Sequence, residues 1–78
     1  MGTTEQIFTI TREYIELNKL LKATGLCGTG GQAKMVIQDG LVTVNSRRET
    51  RVRRKIKEPM EVTYNGHTIK VIFKKDIL

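Results

Sequence analysis

The chain of 78 residues has one cysteine, one proline, one histidine, four aromatic residues and no tryptophan. Each shortage excludes something. A single cysteine, Cys27, forbids an internal disulfide, which suits a reducing compartment and points to a cytoplasmic protein. Cys27 lies among small residues with no base at hand, so a half-buried filler is expected rather than a nucleophile. His67 has no cysteine or histidine at ligand spacing. No zinc site is expected there, only an exposed, idle side chain beside a turn. Phe8, Tyr14, Tyr64 and Phe73 are too few to build a paired stacking platform for single strands, and core packing is their expected role. No stretch approaches the ~18 consecutive apolar residues of a membrane span. Met1–Thr11 lacks the charged start and apolar run of a secretory signal. No carboxylate pair, metal cluster or nucleophile–base set is present, so neither an enzyme nor a cofactor is expected.

Gly28-Thr29-Gly30-Gly31-Gln32-Ala33 fits a dinucleotide fingerprint in form only. It follows a predicted helix instead of a strand, and the chain has no room for a Rossmann half-domain. Gln32 stands where a Walker A loop requires lysine. There is no internal repeat, low-complexity run or linker. One domain over 1–78 is expected, with a core at about 7–74 and Met1–Gln6 as a frayed terminus.

Negative charge is also scarce. Fourteen Lys and Arg against eight Asp and Glu leave a net +6. The excess is localised: residues 1–45 carry four basic and four acidic groups, whereas Arg47–Lys57 carries seven basic residues and only Glu49. Such a block calls for a polyanion, with nucleic acid ahead of an anionic membrane.

What is present is organised around Leu17–Val44. Leu17, Leu20 and Leu21 recur at helical spacing, as do Ala33, Val36 and Ile37. Thr29 precedes Gln32 by three residues, the capping-box pattern of a helix start. Gly25 and Gly40 are placed to close the first and second helices. Thr9–Ile15 has no clean helical period, so the first helix is expected to start near Leu17, with Tyr14–Glu16 extended. Ile7–Thr11 reads as an edge strand and Leu41–Val44 as a short strand followed by an Asn45-Ser46 turn. Arg47–Lys57 reads as a loop with one short strand, tied down at Val52 and Ile56. Pro59 blocks continued sheet pairing. Asn65-Gly66 predicts a two-residue hairpin, which sets Tyr64 opposite His67, Thr63 opposite Thr68, Val62 opposite Ile69 and Glu61 opposite Lys70. Such cross-strand pairs are worth ~0.2–1 kcal/mol each. Ile69, Val71 and Phe73 then form an apolar face that covers the helix pair.

Several of these segments resemble the alpha-L, or S-four, RNA-binding domain. The matching residues are Leu17-Asn18-Lys19-Leu20-Leu21, the small-residue turn Gly28–Gly31, Ala33-Lys34, Asp39-Gly40-Leu41 and Val42-Thr43-Val44-Asn45. The likeness continues loosely through Arg47–Val62, and Thr29–Lys34 is similar to the small stand-alone members of the YaaA/YbcJ type. The sequence departs from the family pattern at Glu16, where arginine is usual, at Asn18, where an acidic residue is usual, and at Ser46, where glycine is usual. The resemblance implies an α+β fold, a two-helix alpha-L motif packed on a small, mainly antiparallel β-sheet.

It also implies a non-catalytic protein that binds structured RNA, ribosomal or transfer RNA, in ribosome assembly or translation. Ribosomal particles are a further expected partner; a membrane and a small-molecule cofactor are not. The expected contacts are Lys19 and Lys22 on one face of helix one, and Thr29, Gly30, Gly31 and Gln32 at the start of helix two. Unshielded N–H groups at the two glycines suit a phosphate. Lys34 and Gln38 follow on helix two, then Asn45, Arg47, Arg48, Arg51, Arg53, Arg54 and Lys55, since arginine's planar fork suits phosphate. Two other functions fit less well: a DNA-binding helix-turn-helix protein and a module docking on an acidic protein partner. Helix two offers only Lys34 and Gln38 as base readers, and the charge lies on the β part.

Overall fold

The computed structural model describes residues 4–75. Nine elements follow in order: β1 (Thr4–Ile10), β2 (Ile15–Glu16), α1 (Leu17–Ala23), α2 (Gly30–Gln38), β3 (Val42–Val44), β4 (Arg47–Arg48), β5 (Lys55–Ile56), β6 (Glu61–Tyr64) and β7 (His67–Phe73). Five strands form one sheet in the order β1-β7-β6-β3-β4, and β2 pairs with β5 in a separate ladder. All pairings are antiparallel except β1 with β7, which run parallel.

Helices of seven and nine residues are too short to persist alone, so their apolar sides must be buried to hold them. Leu17, Leu20 and Leu21 of α1 and Ala33, Val36 and Ile37 of α2 are all buried. They join Ile10, Val42, Val44, Val62, Ile69 and Val71 of the sheet, with Cys27 and Ile56, in one core. Thr24 Oγ1 donates to the Leu20 carbonyl at 2.9 Å and Gly25 turns the chain at φ +80°, which ends α1. Gly40 ends α2 at φ +75°. A side chain there would also meet Arg48 Cδ at 2.9 Å, so the glycine is what lets Arg48 lie over the helix exit.

The β6–β7 hairpin has the expected register at all four positions. Asn65 and Gly66 have φ of +52° and +79°, the left-handed pair that a type I′ turn needs. Thr63 and Thr68 share an Oγ–Oγ hydrogen bond of 3.1 Å across the strands.

Five expectations need correction. Thr4–Gln6 is not frayed: it belongs to β1, whose register runs alongside β7 from Thr4↔His67, while Met1–Thr3 lie outside the described residues. Arg47–Lys57 holds two short strands, not one, because Asn45 and Ser46 both take positive φ and fold β4 back on β3. The apolar face of β7 ends at Val71. Phe73 lies beyond the helices and is 37% exposed. Cys27 is fully buried, not half-buried, and burial pushes its thiol pKa up, further from a reactive thiolate. Tyr14 is not in the core: it is 40% exposed, with Lys55 Nζ 4.8 Å from its ring centroid.

Candidate nucleic-acid interface

The first helix lacks a side-chain cap. Glu16 occupies the cap position with extended backbone and makes no hydrogen bond to the helix. The free N–H groups of α1 are met from far along the chain. Leu17 N–H donates to the Arg54 carbonyl at 2.8 Å, and Asn18 N–H to the Val52 carbonyl at 3.1 Å. A helix start is electropositive and seeks acceptors, and here the arginine-rich loop supplies them from its backbone. The same docking sets Ile15 opposite Ile56 and Glu16 opposite Lys55 in the β2–β5 ladder. The loop is thereby seated on the first turn of α1, with Ile56 buried, Val52 packed against the core and Arg51, Arg53 and Lys55 exposed.

Two carboxylates organise those side chains. Glu49 is buried to 8% exposure, and its carboxylate accepts from Arg51 N–H and Nε at 3.0 Å each, from Arg51 Nη2 at 3.1 Å and from Arg54 Nη1 at 3.3 Å. The Arg51 hydrogen bonds hold its pKa below the ordinary glutamate range against the opposing effect of burial. Glu16 lies between the helix and the loop. Its Oε2 is 3.2 Å from Arg53 Nε and its Oε1 3.3 Å from Lys19 Nζ, both ion contacts. Each cluster sets one carboxylate against two cations, so each keeps one positive charge in excess.

The sequence counted Glu49 as the sole opposition to the basic block. Glu16 is a second, brought in because β2 runs straight into α1 under the loop. Its carboxylate ties Lys19 of helix one to Arg53 of the loop, a juxtaposition that sequence distance conceals. Arg51, Arg53, Arg54 and Lys55 line one shallow depression. Arg47 and Arg48 are exposed on β4, and Lys22 is exposed on α1. Among the described residues, Lys22, Lys34, Arg47 and Arg48 enter no ion pair. Lys34 and Gln38 are exposed on α2, opposite its buried Ala33, Val36 and Ile37, and no hydrogen bond or ion pair joins them to the loop.

Three other expected contacts have local duties. Thr29 Oγ1 accepts from Gln32 N–H at 3.1 Å, and Gln32 Oε1 accepts from Gly28 N–H at 2.8 Å. The capping box thus closes one residue earlier than the standard reciprocal pattern. Gly30 and Gly31 open the helix with N–H groups that have no carbonyl one turn back. Asn45 exchanges two bonds with Glu61: its N–H donates to the Glu61 carbonyl at 2.7 Å and its Oδ1 accepts from Glu61 N–H at 2.9 Å. That clip leaves its side-chain NH2 as the polar group still available. No group of three or more His, Cys, Asp and Glu able to hold a metal occurs among the described residues. No helix is long and apolar enough to cross a membrane.

The family model for the S4 domain matches residues 8–72. The chain belongs to the S4 domain family. YbcJ of Escherichia coli strain K12 and YbcJ of Shigella flexneri are each 41% identical to it over 59 residues, 76% of this chain and 84% of theirs. The solution structure of Escherichia coli YbcJ, described as revealing an alpha-L motif involved in RNA-binding, superposes with a TM-score of 0.66. It is 37% identical, and the match covers 85% of each chain. The α+β architecture read from the sequence is the one these relatives share.

Proposed function

We propose that this S4-domain protein is a non-catalytic RNA-binding module that grips structured RNA by its sugar–phosphate contour. The observation that carries this is the seating of the arginine-rich loop on the start of α1, which places Lys19 and Arg53 on one carboxylate. A-form RNA hides its base edges in a deep, narrow major groove, so a backbone-directed cationic surface is the fitting recognition element. Lys22, Arg47, Arg48, Arg51, Arg54 and Lys55 extend that surface. The N–H groups of Gly30 and Gly31, with Thr29, Gln32, Lys34 and Gln38, form a second approach on helix two, and Asn45 adds its side-chain NH2 from the β3–β4 turn. The likeness to YbcJ, whose motif is described as involved in RNA-binding, supports the same reading. Ribosomal or transfer RNA is the proposed target class, with a cytoplasmic role in ribosome assembly or translation.

The test is affinity for a folded RNA across a salt series, with duplex DNA as competitor. Contact with about four to six phosphates gives a slope of about −3 to −5 in log K against log salt. The folded RNA should outcompete the DNA. A flat salt profile or equal affinity for DNA overturns the reading, and a cellular complex that survives RNase points to a protein partner instead.

A further inference from the structure

The proposed phosphate surface leaves one neighbouring feature unused. Between the end of β1 and the start of α1 lies a cleft of about 470 Å³, walled by Phe8, Arg12, Tyr14, Ile15, Glu16 and Lys19 among others. That volume falls within the range of small-ligand sites. The walls combine apolar side chains, with Phe8 and Ile15 packed against the core, an aromatic ring, and two cations, of which Lys19 pairs with the Glu16 carboxylate in the same wall and Arg12 enters no ion pair among the described residues. Tyr14 is 40% exposed in a protein with only four aromatic residues, and Lys55 Nζ sits 4.8 Å from its ring centroid without lining the cleft. The ring thus carries one cation contact and stays partly exposed in the cleft wall.

The cleft also adjoins the phosphate surface. Glu16 and Lys19 belong to both, and Arg53 is one ion pair away. A polyanion laid along the loop would bring its own unpaired residues to this opening.

We infer that this cleft receives one unpaired nucleotide of the bound RNA, its base stacked on Tyr14 and its phosphate met by Arg12 or Lys19; the inference rests on the RNA-binding reading above. An unstacked base must find a flat π surface to compensate for its lost neighbours, and a tyrosine ring supplies one without regard to base identity. The site thereby selects a bulge or loop within an otherwise paired RNA, a discrimination that phosphate contacts alone do not provide.

The experiment compares two RNA hairpins of identical stem, one with a single-nucleotide 2-aminopurine bulge and one fully paired. The bulged RNA is expected to bind about tenfold more tightly, with its 2-aminopurine fluorescence quenched by stacking. Tyr14→Leu should abolish that preference and leave affinity for the paired stem within about twofold. Tyr14→Phe should retain the preference. Equal affinity of the wild type for the two hairpins, or an equal loss on both from Tyr14→Leu, overturns the cleft while leaving the phosphate surface intact. Binding of neither RNA overturns the surface and the cleft together. Should Tyr14→Leu fail to fold, quenching in the wild-type complex decides: undiminished fluorescence overturns the inference.

Discussion

The β6–β7 hairpin and the Arg47–Lys57 loop are neighbours of similar length held by different forces. The hairpin is held locally. A two-residue turn, a ladder of four facing pairs and the buried Val62, Ile69 and Val71 define it, and no ion pair among the described residues is part of it. The loop is held from outside. Its backbone is pinned by the α1 N–H groups, its one fully buried anchor is Ile56, and Arg51, Arg53 and Arg54 are arranged by Glu49 and Glu16. Local apolar order is insensitive to salt and pH, whereas order built on exposed ion pairs is not. The protein thus presents a rigid scaffold and, on its edge, a surface whose shape depends on the charges that also make it attractive to a polyanion.

The largest expected effect that sharpens this contrast is on Ile56. Ile56→Ala removes the loop's only fully buried side chain and should cost about 2–4 kcal/mol, measured by denaturant unfolding. A cost near zero would mean that ion pairs and caps seat the loop by themselves. Next is Glu49→Gln, which should lower Tm by more than Glu16→Gln does, because Glu49 accepts four hydrogen bonds and Glu16 accepts none from the helix it begins. The wild-type advantage carries a pH signature. The Glu49 carboxyl is more acidic folded than unfolded, so its contribution is complete above its ordinary value of 4.5 and is lost as pH falls through the lower folded value. Thermal melts of wild type and Glu49→Gln should therefore converge in acid. Divergence there would show that the clamp acts by shape and not by charge.

Smaller effects follow at Ser46 and Glu16. Ser46 holds φ +69° in the β3–β4 turn, and Ser46→Gly should stabilise by about 0.5 kcal/mol by removing left-handed strain. Unchanged stability would place the strain elsewhere in the β3–β4 turn. Glu16→Gln frees Lys19 and Arg53 and should tighten RNA binding by about threefold near 0.1 M salt, with a steeper salt slope. Weaker binding would instead mean that Glu16 positions the two cations rather than offsetting them.

The same contrast explains what the sequence disclosed. The hairpin was legible to the residue because Asn65-Gly66 fixes a turn type, and a turn type fixes register. The start of α2 was legible because Thr29 and Gln32 announce a cap. Leu17 as the start of α1 followed from the lack of helical period before it. The loop was opaque because β2, β4 and β5 have two residues each, too few for any periodicity. Nothing near Glu16 in the chain indicates that Arg53 will reach it, since the backbone caps that bring them together come from carbonyls, which any residue carries. The early start of β1 was missed because Thr4-Glu5-Gln6 has no apolar alternation of its own and takes its order from β7.

The central claim is that RNA meets the loop and the two helix starts and leaves the hairpin alone. It is tested most directly by titrating isotope-labelled protein with a folded RNA and following every backbone amide. The account predicts shift changes concentrated in residues 12–22, 28–38 and 45–57, fading as salt rises, with residues 61–73 unmoved. Changes centred on the hairpin, or spread evenly over the chain, would contradict it.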